Sequence, residues 1–292
     1  MVYYLWLLTN FWKGRHILKS KNSAEQNRIT ILDEIRGLSI IMVVLYHFLF
    51  SAGEVFDNDT AARLLRQLMP IEPLIASPFV FISGICTRLS RSNLKRGITL
   101  LVIALGINII TQFFFPEFSI RFGVMNLLSV SMIIYDTGEK LLKKRKSKKR
   151  KSRRKKLFSK KKLQKLKPYV AFTVFIIIFA LTWGLNYRYI GIFGLKLFSL
   201  PEKLFKSKYL FPLGFRNRTF YSSDYFPIFP WLFLFLGGSS FAKCFSNRKL
   251  PESFYTVHSQ SLSSVGKNTL IIYLLHQPII FGLLYLINRI KF

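Results

Sequence analysis

Acidic residues are scarce in this chain: 13 Asp and Glu stand against 44 Lys and Arg in 292 residues, a formal charge of +31. In a soluble protein that imbalance would point toward nucleic acid. It is concentrated, however. Residues 140–167 hold 18 Lys or Arg and no acid, and removing those 18 charges from +31 leaves +13 for the rest. Cysteine is rarer still, with Cys86 in an apolar run and Cys244 at an expected helix end. Two such residues make neither a disulfide framework nor a metal-ligand spacing, so no metal is expected. No basic segment precedes the opening run MVYYLWLLTNFW and no small-residue cleavage site follows it, so it reads as an aromatic interfacial segment. Duplicated halves are absent too, which removes one common signature of transporters.

Apolar residues fill the space the acids leave. The chain is 51% hydrophobic and 16% aromatic, with a mean hydropathy of +0.29, too greasy for a soluble domain of this length. The expected fold is all-α, a polytopic transmembrane helical bundle with about seven spans and a disordered basic loop. Uncharged or nearly uncharged runs place the spans at 37–53, 73–87, 97–116, 122–135, 168–187, 225–242 and 268–288. Residues 1–30 form an N-terminal interfacial or cytoplasmic arm, and 31–292 form one membrane domain with the 140–167 loop inserted. The N-terminal arm, the 88–96 segment, the 140–167 loop and the 243–249 segment fall on one side of that arrangement. Their Lys and Arg content makes it the cytoplasmic side. The basic loop is then a partner for anionic lipid rather than for nucleic acid.

Residues 33–50, DEIRGLSIIMVVLYHFLF, carry the strongest chemical signal. Asp33 and Arg36 are spaced to pair at the mouth of a helix. Arg36 and His47, eleven residues apart, share one helix face about three turns from each other. An ionisable face on an apolar span points to a protein-lined cavity. The last span repeats the pattern, with Thr269, Tyr273, His276 and Ile280 in one stripe, while Asn126 and Ser129 face together on the fourth. Against these readings, an intramembrane His can simply hydrogen-bond a neighbouring helix, and Ser, Gly and Asn at helical spacing pack helices.

Five blocks then resemble, in order, the heparan-alpha-glucosaminide N-acetyltransferase catalytic-domain family of integral-membrane acyltransferases. They are RITILDEIRGLSIIMVVLYHF (28–48), FVFISGICTRLSRS (79–92), RFGVMNLLSVS (121–131), DYFPIFPWLFLFLG (224–237) and VGKNTLIIYLLHQP (265–278). The resemblance implies transfer of an acyl group, typically acetyl from acetyl-CoA or another acyl-CoA, to a sugar amine or hydroxyl. By position it implies catalytic roles for His47, His276 and Asn126. Asp33, Arg36, Gly37, Asp224, Trp231 and Gln277 would organise the site, with Pro230 beside Trp231. Ser83, Gly84, Arg88, Arg91, Lys95 and Arg96 would meet the acyl-CoA. Bacterial-type members of that family usually carry a histidine where this chain has Asn126, which cannot shuttle protons near neutral pH. The expected partners are the bilayer, acyl-CoA and a sugar or glycan acceptor, without nucleic acid, and an oligomer is compatible with this reading. A proton-coupled membrane permease and a non-catalytic relative of the acyltransferases are the alternatives.

Overall fold

The computed structural model describes residues 28–90, 92–152, 161–192, 194–245 and 250–290. The architecture is all-α. In chain order the helices are α1 (Thr30–Phe50), α2 (Asp59–Leu68), α3 (Glu72–Leu89), α4 (Asn93–Phe114), α5 (Val124–Ser152) and α6 (Lys161–Leu181). A two-stranded antiparallel hairpin, β1 (Tyr189–Ile192) and β2 (Leu195–Ser199), precedes α7 (Ile228–Phe245), α8 (Gln260–Lys267) and α9 (Thr269–Ile290). Among the described residues, six segments are long and apolar enough to cross a membrane: Thr30–Val55, Asp59–Leu89, Asn93–Phe114, Pro168–Tyr187, Ile228–Phe245 and Thr269–Ile290. The chain is therefore an integral membrane protein. The expected fourth span, 122–135, is the first half of α5.

The basic stretch differs from its expectation at both ends. Helix α5 runs through residue 152 and α6 begins at residue 161, so 140–152 and 161–167 are helical. Lys and Arg are good helix formers, and nothing in the stretch stops a helix already nucleated by its apolar half. Residues 153–160 and nearly all of the N-terminal arm lie outside the described residues.

The chain divides into two compact units, Met1–Val44 with Leu250–Phe292, and Leu45–Lys249. In the first, the start of α1 is tied to the segment before α8. The Thr30 hydroxyl donates to the Thr256 carbonyl at 2.6 Å, and Glu34 Oε1 accepts from the backbone N–H groups of His258 at 2.7 Å and Ser259 at 3.1 Å. Two glycines then let α1 and α8 touch backbone to backbone. A Cβ on Gly37 would lie 2.1 Å from the Leu262 carbonyl oxygen, and one on Gly266 only 1.8 Å from that of Asp33.

The second unit is built on α7, which packs against α3, α5 and α6, while α4 packs along α5. The α3–α7 contact is a close crossing. A Cβ on Gly84 would meet the Phe235 carbonyl oxygen at 2.0 Å, and one on Gly238 that of Phe81 at 2.1 Å. Cα–Cβ bonds tilt toward a helix N-terminus while carbonyls point toward its C-terminus. The reciprocal pattern is what two parallel helices give at their point of nearest approach. Beside it Phe81, Phe172 and Phe241 form one ring cluster, and Trp231 packs on Phe179, Trp183 and Phe226 in another.

Candidate functional site

At the start of α5 a buried carboxylate arrives from a distant part of the chain. Asp224 Oδ2 accepts from the Val124 N–H at 3.2 Å, and the Asn126 side chain, three residues into the turn, accepts from the Gly123 N–H at 3.2 Å. The first-turn donors of a helix have no intrahelical partner, and these two side-chain oxygens supply two of the missing acceptors. Gly123 makes the approach feasible, since a Cβ there would sit 2.3 Å from Asp224 Oδ2. The neighbouring Ser223 hydroxyl donates to the Phe118 carbonyl at 2.8 Å, and the Phe226 N–H to that of Phe122 at 3.0 Å. Asn126 and Ser129 do face together: the Ser129 hydroxyl donates to the Asn126 carbonyl at 2.7 Å.

The same unit holds the end of α1 with His47. Its ring stands edge-on to that of Tyr46, with centroids 5.9 Å apart. The Tyr46 hydroxyl donates to Glu72 Oε2 at 3.2 Å, where α3 begins, and the charge of Asp224 acts on Glu72 as well. Tyr46, His47, Glu72, Asp224 and Asn126 thus form a chain of polar neighbours at the starting ends of α3 and α5. Tyr46 and Glu72 were absent from the sequence reading. A carboxylate directly before the apolar run from Pro73 was the signal available for Glu72, while the pairing across 26 residues had none.

The far ends of α3 and α7, with the middle of α5, carry an ion cluster. Glu139 receives Lys243 at 2.7 Å, with Arg88 and Lys143 each at 3.7 Å. The hydrogen bond and charge of Lys243, together with Arg88 and Lys143, compensate the partly buried Glu139 carboxylate. One carboxylate against three cations leaves the cluster positive, a setting suited to phosphate. Lys95 and Arg96 are exposed on the first turn of α4, and Arg91 lies outside the described residues. The Ser83 hydroxyl donates back to the Phe79 carbonyl at 2.8 Å, and Gly84 is buried in the α3–α7 crossing. Trp231 and Pro230 are buried in the aromatic core of the same unit.

The first unit holds the remaining expected residues. Asp33 is buried and clamped between Arg28 at 2.5 Å and Arg36 at 3.1 Å, so the anticipated i,i+3 pair is one half of a fork. Gly37 is the packing glycine beneath α8. His276 is buried mid-helix with Nδ1 2.6 Å from the Tyr273 carbonyl. A carbonyl can only accept, so Nδ1 carries the proton, and in the neutral ring Nε2 is the basic nitrogen. Gln277 follows it, half-buried.

A family model described as heparan-alpha-glucosaminide N-acetyltransferase, catalytic, matches residues 28–144 and 163–278. No curated protein and no solved structure matches the chain.

Proposed function

The chain belongs to the heparan-alpha-glucosaminide N-acetyltransferase catalytic family, and from that premise we propose that it is an integral-membrane acyltransferase. It moves an acyl group, acetyl in the simplest case, from acyl-CoA to an amine or hydroxyl of a sugar. The observation that carries this reading is the extent of the family match, on both sides of the basic stretch and across both units. The geometry supports it with two chemically distinct ends in the second unit: a cation-rich cluster and a string of proton-handling side chains.

In this reading the donor's phosphates meet Arg88 with Lys243 and Lys143, and Arg91, Lys95 and Arg96 extend the positive surface. Ser83 and Gly84 shape the helix beside that path. His47 takes the proton from the acceptor amine or hydroxyl as its lone pair attacks the thioester carbonyl. The carbon–sulfur bond breaks, and the CoA thiolate leaves with a proton returned from the imidazolium. An imidazole can both accept a proton and return it, which suits both halves of that exchange. Asp224, Trp231 and Asn126 hold the elements around it, while Asp33, Arg36 and Gly37 fix the beginning of α1. His276, with Nε2 basic, is a second candidate base rather than an oxyanion donor, and Gln277 supplies a neutral hydrogen-bonding side chain. The basic side faces the cytoplasm and anionic lipid.

The test is transfer of label from acetyl-CoA to amino sugars by the purified protein in proteoliposomes. Wild type transfers label and His47→Ala does not, while both accumulate equally in the membrane. Sugar uptake without any transfer would replace this reading with a permease, and saturable acetyl-CoA binding without transfer would identify a non-catalytic relative.

A further inference from the structure

The β1–β2 hairpin is the one place among the described residues where regular structure other than helix follows a membrane span. It begins eight residues after α6 ends at Leu181. Its two strands are unlike. Strand β1 is seated on the protein: Tyr189 and Gly191 are buried, and the Tyr189 ring lies so close to Gly184 that a Cβ there would meet it at 2.2 Å. Strand β2 is exposed at every position, with Leu195 at 66% and Phe198 at 70% of full exposure and Leu197 and Ile192 beside them. The Leu200 N–H donates to the Arg188 carbonyl at 2.9 Å and closes the hairpin, so β2 is held by β1 at a fixed distance from the end of α6.

We propose that strand β2 of this hairpin, exposed on both of its faces, lies in the lipid headgroup layer of the membrane surface from which α6 emerges. Three observations select lipid as the occupant. Continuity with the span and the rigid seat of β1 place β2 at that surface. The exposed residues pair apolar bodies with cations, and Lys196, which sits 5.7 Å over the Tyr189 ring, alternates with Leu195 and Leu197. Residues 188–208 carry the cations Arg188, Lys196, Lys203, Lys206 and Lys208 against one acid, Glu202, so the segment offers partners to headgroup phosphates. The depth follows from the backbone. A two-stranded sheet leaves the outer edge of β2 needing hydrogen-bond partners, which headgroups and interfacial water provide and hydrocarbon does not.

The proposal stands whether or not the chain transfers acyl groups, and its test needs no turnover. Leu197→Cys and Phe198→Cys, each in the full-length protein, are labelled with the environment-sensitive fluorophore NBD and reconstituted in phosphatidylcholine–phosphatidylglycerol nanodiscs. Glu252→Cys, at an exposed position, is the aqueous control, and the unsubstituted protein gives the background from Cys86 and Cys244. At 197 and 198 the emission should shift to the blue, iodide quenching should be lost, and lipids bearing a shallow doxyl group should quench. Iodide quenching equal to that at 252 would overturn the proposal by placing β2 in water. Protection from iodide without lipid quenching would also overturn it, by showing that a second copy or another protein covers the strand.

Discussion

A single missing methyl group decides whether Asp224 can reach α5. With 2.3 Å between a Cβ at 123 and the carboxylate oxygen, Gly123→Ala must push Asp224 off the Val124 N–H and leave a buried charge and a helix terminus short of partners. Overpacking of this sort costs ~1–3 kcal/mol, and the lost cap adds to it. The thermal midpoint of the detergent-solubilised protein should fall in Gly123→Ala and stay near wild type in Gly138→Ala, where nothing lies within 4 Å. Glu139 gives a second residue-scale prediction. It is the carboxylate that meets Lys243, Arg88 and Lys143, so Glu139→Gln leaves those cations facing one another and should lower the thermal midpoint of the detergent-solubilised protein.

Between elements, small residues do what apolar burial does in a soluble core. Lipid is as apolar as a leucine side chain, so helices associate in the membrane through close packing. The α3–α7 crossing, with Gly84 and Gly238 each against a carbonyl, is the tightest such contact in the second unit. Gly238→Ala should therefore lower the thermal midpoint, by ~1–3 kcal/mol of stability if the helices part as rigid bodies. In contrast, Gly106→Ala in α4, with open space around it, should match wild type or gain ~0.4–1 kcal/mol. This packing also marks where the sequence stopped being informative. Run lengths gave most spans, and the i,i+3 spacing gave the Asp33–Arg36 pair, because both are local. Gly84 read as a surface along a donor path, although a small residue on an apolar helix looks the same whether it lines a channel or admits a neighbour. The Glu72 and Glu139 contacts join residues 26 and about 50 to 100 positions apart, beyond any periodicity. The hairpin was invisible as strand because its apolar residues continue the pattern of the spans around it.

Whether the described residues cross the bilayer an even or odd number of times turns on α5. By composition it is no span, since Asp136, Glu139 and Lys140 crowd its centre. Geometry within the second unit says otherwise. Val124, at its start, is bonded to Asp224 just ahead of α7, and Glu139 is bonded to Lys243 near the end of α7. Val124 to Glu139 is fifteen steps, ~22 Å of helix rise, and the regular part of α7 from Pro230 to Lys243 is thirteen, ~20 Å. The two helices therefore run side by side over the same depth, and whatever thickness α7 crosses α5 crosses too. Its charges are tolerated because they are paired: Asp136 with Lys140 at 2.6 Å, and Glu139 with three cations. Seven crossings follow among the described residues, and the excess of Lys and Arg predicts a cytoplasmic location for the lysine-rich end of α5. Arg121→Cys, just before α5, and Lys140→Cys, beyond its apolar half, are both exposed positions that test this directly. In sealed right-side-out vesicles a membrane-impermeant maleimide should label position 121 and spare 140, and inverted vesicles should reverse the pattern. Equal labelling of both from one side would mean that α5 turns back before crossing and that the crossings number six.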